Sequence, residues 1–186
     1  PAPPAEENGR AQALARFLLG FNHFNLKQLA EARDHFAACL AVEGLRQENA
    51  ELFANATYFL GMIDYMQDRF VESAQSFKTY LSLQETAEAK PQFYGHANYF
   101  VGANLFRILE ARVAKGDMKD VQAATDEIIP YLEKAIAEKI PSEDPHVMLG
   151  NCYVYRNQVD RAVETYEALI AAFPQSPQLE NYRVFL

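Results

Sequence analysis

A glycine that follows an apolar residue recurs four times along the chain, and its spacing constrains the fold more than any other feature. The four pairs are Leu19-Gly20, Leu60-Gly61, Val101-Gly102 and Leu149-Gly150. Successive glycines lie 41, 41 and 48 residues apart, each in an apolar stretch of helical spacing. Because glycine inside a helix costs about 1 kcal/mol relative to alanine, each one needs a packing reason. Close approach of a second helix is such a reason, so the pattern predicts repeated pairs of packed helices.

Two further positions repeat in register with the glycine. A small residue follows three of the glycines by twelve positions, at Ala32, Ser73 and Ala162. An aromatic residue follows the same three by sixteen positions, at Phe36, Phe77 and Tyr166. A polar turn separates the glycine from these positions in each unit. We therefore expect each unit to be a helical hairpin whose first helix carries the glycine.

These columns resemble the tetratricopeptide repeat (TPR), in which two antiparallel helices pack a small residue of one against a small residue of the other. The last unit resembles it most, through Leu149, Gly150, Tyr153, Ala162, Tyr166, Leu169 and Pro174. The resemblance implies an all-α fold, a right-handed α-solenoid of about four TPR-like helical hairpins. Since the repeat of that family is about 34 residues long, the wider spacing here predicts lengthened helices.

The predicted organisation is one solenoid domain over residues 9–186. Its repeats span about residues 11–45, 48–85, 91–139 and 143–175, followed by a C-terminal capping segment over 177–186. Residues 1–8 (PAPPAEEN) are expected to form a flexible proline-rich tether. The third repeat is expected to be irregular, because no aromatic residue follows Gly102 by sixteen positions and Pro130 should kink or divide its second helix.

Composition and motifs limit the function classes. Lysine and arginine total 17 against 25 acidic residues, and this net charge of -8 argues against a nucleic-acid partner. No phosphate-binding loop, hydrolase elbow or metalloprotease motif occurs, and Cys39 and Cys152 lack metal-site spacing. His23 and His35 could face each other across one hairpin, but a metal needs further ligands. We therefore expect no metal, no cofactor and no enzyme activity.

The resemblance implies a concave inner surface formed by the first helix of each hairpin. The candidate partner-binding groove consists of aromatic, methionine and amide side chains at Phe17, Phe21, Phe24, Tyr58, Met62, Tyr65, Tyr99, Phe106, Asn151 and Tyr155. Aromatic rings offer large contact area and methionine adapts to varied shapes, so the set suits an apolar peptide. The alternative is that lengthened helices bring these rings into packing between helices.

The function that follows is a non-catalytic adaptor, which binds an apolar or aromatic-preferring segment of a protein or peptide partner. The alternatives are a carrier of a lipid or another small hydrophobic ligand, and the TPR part of a larger secretion or assembly factor. The segment from Leu169 to Gln178 resembles repeat ends of bacterial envelope TPR proteins, which favours a periplasmic or membrane-anchored setting without excluding the cytoplasm. A membrane tether upstream of Pro1 and self-association both stay open.

Overall fold

The computed structural model describes residues 5–84 and 93–184, and these residues form ten helices and no strand. The helices are α1 (Ala5–Asn25), α2 (Leu29–Leu40), α3 (Leu45–Glu48), α4 (Ala50–Met66), α5 (Phe70–Gln84), α6 (Tyr94–Val113), α7 (Val121–Ala137), α8 (Asp144–Tyr155), α9 (Val159–Ala172) and α10 (Leu179–Arg183). The all-α fold class predicted from the sequence is confirmed.

The helices belong to two compact units, residues 1–91 and residues 92–186. In unit 1, α1 packs on α2 and α4 packs on α5, and the two hairpins meet through α2 and α4. In unit 2, α6 packs on α7 and α8 on α9, and these hairpins meet through α7 and α8. Each unit therefore repeats one scheme, in which the first helix of a hairpin packs on the second helix of the hairpin before it.

The recurring glycines lie where the two helices of a hairpin come closest. In three hairpins a Cβ placed on the glycine would lie 2.8 to 3.1 Å from an aromatic ring, with Gly20 against Phe36, Gly61 against Phe77 and Gly150 against Tyr166. Ala32, Ser73 and Ala162 are buried beside these contacts. The Ser73 hydroxyl donates a hydrogen bond of 2.8 Å to the Gly61 carbonyl oxygen. A Cβ at Gly150 would force the Tyr166 ring or the helices to shift, whereas at Gly20 and Gly61 the ring would have to move by a few tenths of an ångström.

The third hairpin uses the same kind of contact, although its sequence register differs. A Cβ placed on Gly102 would lie 2.6 Å from Cδ2 of Leu132, which occupies the place of the aromatic ring. Helix α6 continues for eleven residues beyond Gly102, whereas α1, α4 and α8 end five residues beyond their glycines. Leu132 therefore follows Gly102 at a greater distance in the sequence than the aromatic residues follow their glycines, because both helices extend beyond the contact. The expected irregular repeat is a hairpin of the same design with a longer tip.

The sequence predicts a kink or a division at Pro130, and the second helix of this hairpin is not divided there. Helix α7 runs from Val121 to Ala137 with Pro130 inside it. Proline lacks the N–H that would bond to the Asp126 carbonyl four residues earlier. Because Pro130 and Asp126 both lie on the exposed side of α7, water can hydrate that carbonyl oxygen. Ile128 and Leu132 lie on the opposite, buried side of the helix.

The ends of the predicted segments differ from the structure in several places. Residues 5–8, expected in the tether, belong to the first turns of α1. Residues 1–4 lie outside the described residues, as do 85–92, which include the predicted junction of the second and third repeats, and 185–186. The predicted C-terminal cap corresponds to α10, whose Tyr182 stacks on Tyr166 of α9 at 6.5 Å.

A buried carboxylate joins the two hairpins of unit 1. Asp64 of α4 is 1% exposed and accepts a hydrogen bond of 2.9 Å from Nε of Arg33 in α2. The same oxygen accepts a bond of 2.8 Å from Nε of Arg69, which precedes α5. Since a buried charge is stable only when it is paired, both arginines are needed to hold Asp64 inside. The three residues fix α2, α4 and the start of α5 to one another.

Candidate partner-binding surfaces

A cluster of phenylalanine rings fills the space between α1, α2 and α4 in unit 1. Phe59 of α4 is its centre, with the rings of Phe17, Phe21 and Phe24 edge-on to it at 6.0, 5.4 and 5.5 Å. The ring of Phe36 stacks on Phe59 at 5.4 Å. Phe17 and Phe24 are half-buried, so these two candidate groove residues contribute mainly to packing between the helices. Only Phe21 remains exposed, at 39%.

Two further residues of the predicted groove lie in the core. Tyr58 is 6% exposed, and its ring contacts Phe77 and Tyr80 of α5 at 5.4 and 5.3 Å. Phe106 is 2% exposed and stacks on Tyr155 of α8 at 6.3 Å. Because α6 continues beyond Gly102, the position of Phe106 is inside a helix and not at a hairpin turn. Neither side chain offers a surface to a partner, so their assignment to the groove is wrong.

The α4 residues of the predicted groove are closer to the surface. Met62 and Tyr65 are half-buried, and Tyr65 lies edge-on to Phe70 at 6.0 Å. Met66, at the end of the same helix, is largely exposed. Met62 lies one helical turn after Phe59 and Met66 one turn after Met62, so these two follow the ring cluster along α4. Phe21, Met62, Tyr65 and Met66 are named here the unit 1 inner surface.

The groove residues predicted in unit 2 already have partners within the unit. The Tyr99 hydroxyl donates to Oδ2 of Asp144 at 3.0 Å. The Tyr166 hydroxyl donates to Oδ1 of Asn151 at 2.9 Å, and burial raises the pKa of Tyr166 to about 12. Asn151 therefore orients the ring that contacts Gly150. Tyr155, half-buried against Phe106, has its pKa raised by burial and by the charge of Glu110.

Exposed apolar side chains concentrate on α1. Leu14, Leu18 and Phe21 follow one another at helical spacing and are 49%, 56% and 39% exposed. Leu19, on the next ridge, is also exposed, as is Leu26 in the turn that follows. An isolated surface leucine needs no explanation, but a contiguous row of them on one helix is typical of an interaction surface. Position relative to the repeated glycine predicts Phe21 as a groove residue but does not predict this row.

A cavity of about 390 Å³ opens in unit 2 between the ends of α7, α8 and α9. Ile136, Ile140, Pro145, His146 and Phe173 form much of its wall. The His146 ring lies edge-on to Phe173 at 5.9 Å, and burial lowers the pKa of His146.

The residues with reactive side chains lie apart from these surfaces. Cys39 and Cys152 are fully buried, and burial raises their pKa to about 11 and about 12, which disfavours the thiolate. The imidazoles of His23 and His35 stack across the first hairpin at 5.1 Å. Within residues 5–84 and 93–184, no group of three or more His, Cys, Asp and Glu side chains is arranged to hold a metal ion. The same residues contain no helix with the length and apolar character of a membrane span.

Comparison with known proteins agrees with this architecture. The family model of the tetratricopeptide repeat matches residues 147–176, which cover α9 and most of α8. A structure of MamA from Desulfovibrio magneticus RS-1 matches with a TM-score of 0.65 at 16% identity, over 93% of this chain and 84% of that one. A MamA RS-1 ArsTM double mutant matches over the same shares with a TM-score of 0.65 at 17% identity.

A third solved structure, a set of nearly identical TPR-like repeats from Podospora anserina, matches with a TM-score of 0.53 at 17% identity, over 92% of this chain and 82% of that one. No curated protein matched the sequence. At these identities the structural matches establish the fold. The resemblance inferred from the glycine register is confirmed: residues 147–176 are a tetratricopeptide repeat, and the chain has the fold of tetratricopeptide-repeat proteins.

Proposed function

We propose that the chain is a non-catalytic adaptor that binds an apolar segment of a protein partner on the unit 1 inner surface. The observation that carries the proposal is the placement of Phe21. Its ring is held edge-on against Phe59 at 5.4 Å and yet is 39% exposed, so a rigid aromatic surface faces solvent. Binding to such a surface loses little side-chain entropy, because the ring is already positioned.

Methionines beside this ring favour apolar side chains of varied shape. Met62 and Met66 are unbranched and polarisable, and thioethers make favourable contacts with aromatic and aliphatic groups. Asp64, the one carboxylate of α4 within reach of these residues along the helix, is buried against Arg33 and Arg69. The partner segment is therefore expected to bind through apolar contact and not through ion pairs.

The test is a peptide-binding measurement on the full chain. An array of apolar and aromatic peptides would supply a ligand, and fluorescence anisotropy would give its Kd. Phe21→Ala and Met66→Ala should each weaken binding about tenfold, as is common for central interface residues. Val71→Ala is the matched control, because Val71 is also an exposed apolar residue, at 67%, but lies on the second helix of its hairpin. An equal loss of peptide affinity in Val71→Ala, or unchanged affinity in Phe21→Ala, would contradict the proposal.

Carriage of a small hydrophobic ligand is the alternative function, and the cavity beside His146 is the feature that favours it. Its volume of about 390 Å³ lies within the usual range for small-molecule pockets. Native mass spectrometry of gently purified protein separates the two functions. A stoichiometric small molecule that His146→Trp removes would support a carrier, whereas an unliganded mass together with peptide binding supports the adaptor.

A further inference from the structure

Helix α1 lacks a neighbour that α4 and α8 have within their units. Helix α4 packs on α2, the second helix of the preceding hairpin, and α8 packs on α7 in the same way. The described residues of unit 1 place no helix in the corresponding position beside α1. Repeat proteins bury their apolar faces by stacking one hairpin on the next. The element that could cover this side of α1 is therefore another helix.

The register of the repeats identifies the face of α1 that is left uncovered. The residues of α4 that pack with α1 and α2 are Leu52, Ala56, Phe59, Leu60 and Ile63. The residues 41 positions earlier, equivalent by the spacing of Gly20 and Gly61, are Ala11, Ala15, Leu18, Leu19 and Asn22. All five are exposed in α1. In α8 the equivalents of Leu18 and Leu19 are Met148 and Leu149, and both are buried.

The charge around this face differs from that of the rest of the chain. Residues 9–30, which follow Glu6 and Glu7 in the sequence, contain Arg10, Arg16 and Lys27 and no carboxylate, although the whole chain has a net charge of -8. Arg10 lies at one end of the exposed row and Lys27 just beyond the other. A partner with acidic side chains beside its apolar stripe would be attracted here and repelled by most other surfaces of the protein.

We infer that the exposed face of α1, formed by Ala11, Ala15, Leu18 and Leu19, docks an amphipathic helix of a partner protein whose apolar stripe is bordered by Asp and Glu. This face adjoins the unit 1 inner surface, since Leu18 lies one helical turn before Phe21. The occupant is a helix because the equivalent face of α4 accepts α2, a helix of twelve residues. From Ala11 to Asn22 the face is about 17 Å long, enough for three turns of a partner helix. An anionic membrane is disfavoured, because the remaining surface is acidic.

The experiment uses two stapled helical peptides of roughly 14 residues, with leucine at i, i+4 and i+7 and either glutamate or lysine on the flanks. The full chain should bind the glutamate peptide at least about tenfold more tightly than the lysine peptide at low salt. Leu18→Glu should abolish this binding, and Arg10→Glu should reduce the preference for glutamate. Since Leu18 is 56% exposed, Leu18→Glu should retain the thermal unfolding of the parent chain.

Controls separate this surface from the one in the proposed function. Met66→Ala, at the end of α4, should leave binding of the glutamate peptide within about twofold, so failure of either surface can be recognised independently of the other. Equal binding of both peptides, or binding unaffected by Leu18→Glu, would overturn the inference. Concentration-dependent dimers that Leu18→Glu abolishes would assign the face to a second copy of the chain. Leu18-dependent binding to vesicles of phosphatidylserine and phosphatidylcholine would assign it to a membrane.

Discussion

Gly61 and Phe77 contact each other so closely that a Cβ on the glycine would lie 3.0 Å from the edge of the ring. The ring itself is fully buried. The Ser73 hydroxyl, one turn before Phe77 on α5, donates to the Gly61 carbonyl oxygen and holds the two helices at this separation. The glycine is therefore required by the distance between the helices, because no local turn or positive φ demands it.

Replacing a glycine at such a contact should destabilise the protein although alanine is the better helix former. Gly150→Ala should lower the free energy of unfolding by about 1–3 kcal/mol, because its Cβ would lie 2.8 Å from the Tyr166 ring. Gly9→Ala is the control, since its Cβ would make only ordinary contact with Val42 at 3.7 Å. That variant should gain up to about 1 kcal/mol. Urea unfolding measures both, and stabilisation of both would refute the packing role.

Removing the charge of Asp64 should weaken the junction between the hairpins of unit 1. Asp64→Asn keeps the shape of the side chain but loses the charge-assisted bonds to Arg33 and Arg69, at a cost of about 2–4 kcal/mol. Asp68→Asn is the matched control, because Asp68 is exposed and has a φ of 56°, which asparagine tolerates well. Thermal unfolding should separate the two variants clearly, and a similar effect for both would contradict the role of the ion pairs.

Two aromatic residues of the predicted groove should respond differently to truncation. Tyr58→Ala removes a buried ring from the contact with Phe77 and Tyr80 and should cost about 3–5 kcal/mol of stability. Phe21→Ala removes a ring that is already 39% exposed and should cost clearly less. Chemical denaturation of the two variants tests the assignment of Tyr58 to the core. If Tyr58→Ala were as stable as Phe21→Ala, that assignment would be wrong.

The helix that contains Pro130 should become more stable without it. Because α7 already runs through residue 130 and Pro130 is exposed, alanine would restore a backbone hydrogen bond without disturbing the core. Pro130→Ala should raise the free energy of unfolding by about 1–3 kcal/mol. Pro141→Ala, outside the helices, should have little effect. A loss of stability in Pro130→Ala would mean that the proline makes a favourable contribution to the fold.

Stability should decline in alkaline solution because buried acids keep their protons when folded. Burial raises the pKa of Cys39 from 9.0 to about 11 and of Tyr58 from 10.0 to about 12. The unfolded chain releases these protons first, so the free energy of unfolding falls as pH rises above 9 and has its full value below that. Burial raises the pKa of Cys152 from 9.0 to about 12, with the same sign.

Urea titrations at pH values from about 8 to about 11 would measure this decline. In a Cys39→Ala, Cys152→Ala variant the thiols no longer contribute, so the decline should begin nearer pH 10, the ordinary pKa of tyrosine. An identical pH profile for the parent chain and the variant would show that the thiols do not carry this part of the dependence.

Much of the fold follows from the sequence because the helix contacts have a fixed register. Glycine, a small residue and an aromatic residue at offsets of zero, twelve and sixteen locate the hairpin contacts of Phe36, Phe77 and Tyr166. Leu132 was missed because its offset from Gly102 is larger by fourteen residues, close to four helical turns. A search that allowed whole turns to be added on both helices would have found it.

The candidate groove was less predictable, since ring exposure depends on neighbouring helices. Phe17 precedes Gly20 by the same number of residues as Tyr58 precedes Gly61. Tyr58 is nevertheless covered, because Tyr80 lies against it where TPR proteins usually have a small residue. Phe106 is covered because α6 does not end where the other first helices do. Phe21 stays at the surface because Phe59 supports its ring from one side. Local spacing cannot distinguish these cases.

The longer tip of the α6/α7 hairpin has a practical consequence for engineering. Residues 114–120 join the two helices beyond the end of α8, and a Cβ added at Gly116 would meet no atom within 4 Å. Backbone in such a position can accept additional chain without loss of core contacts. A fluorescent reporter or an affinity epitope placed between Lys115 and Asp117 would therefore label the protein without disturbing the helix contacts of unit 2.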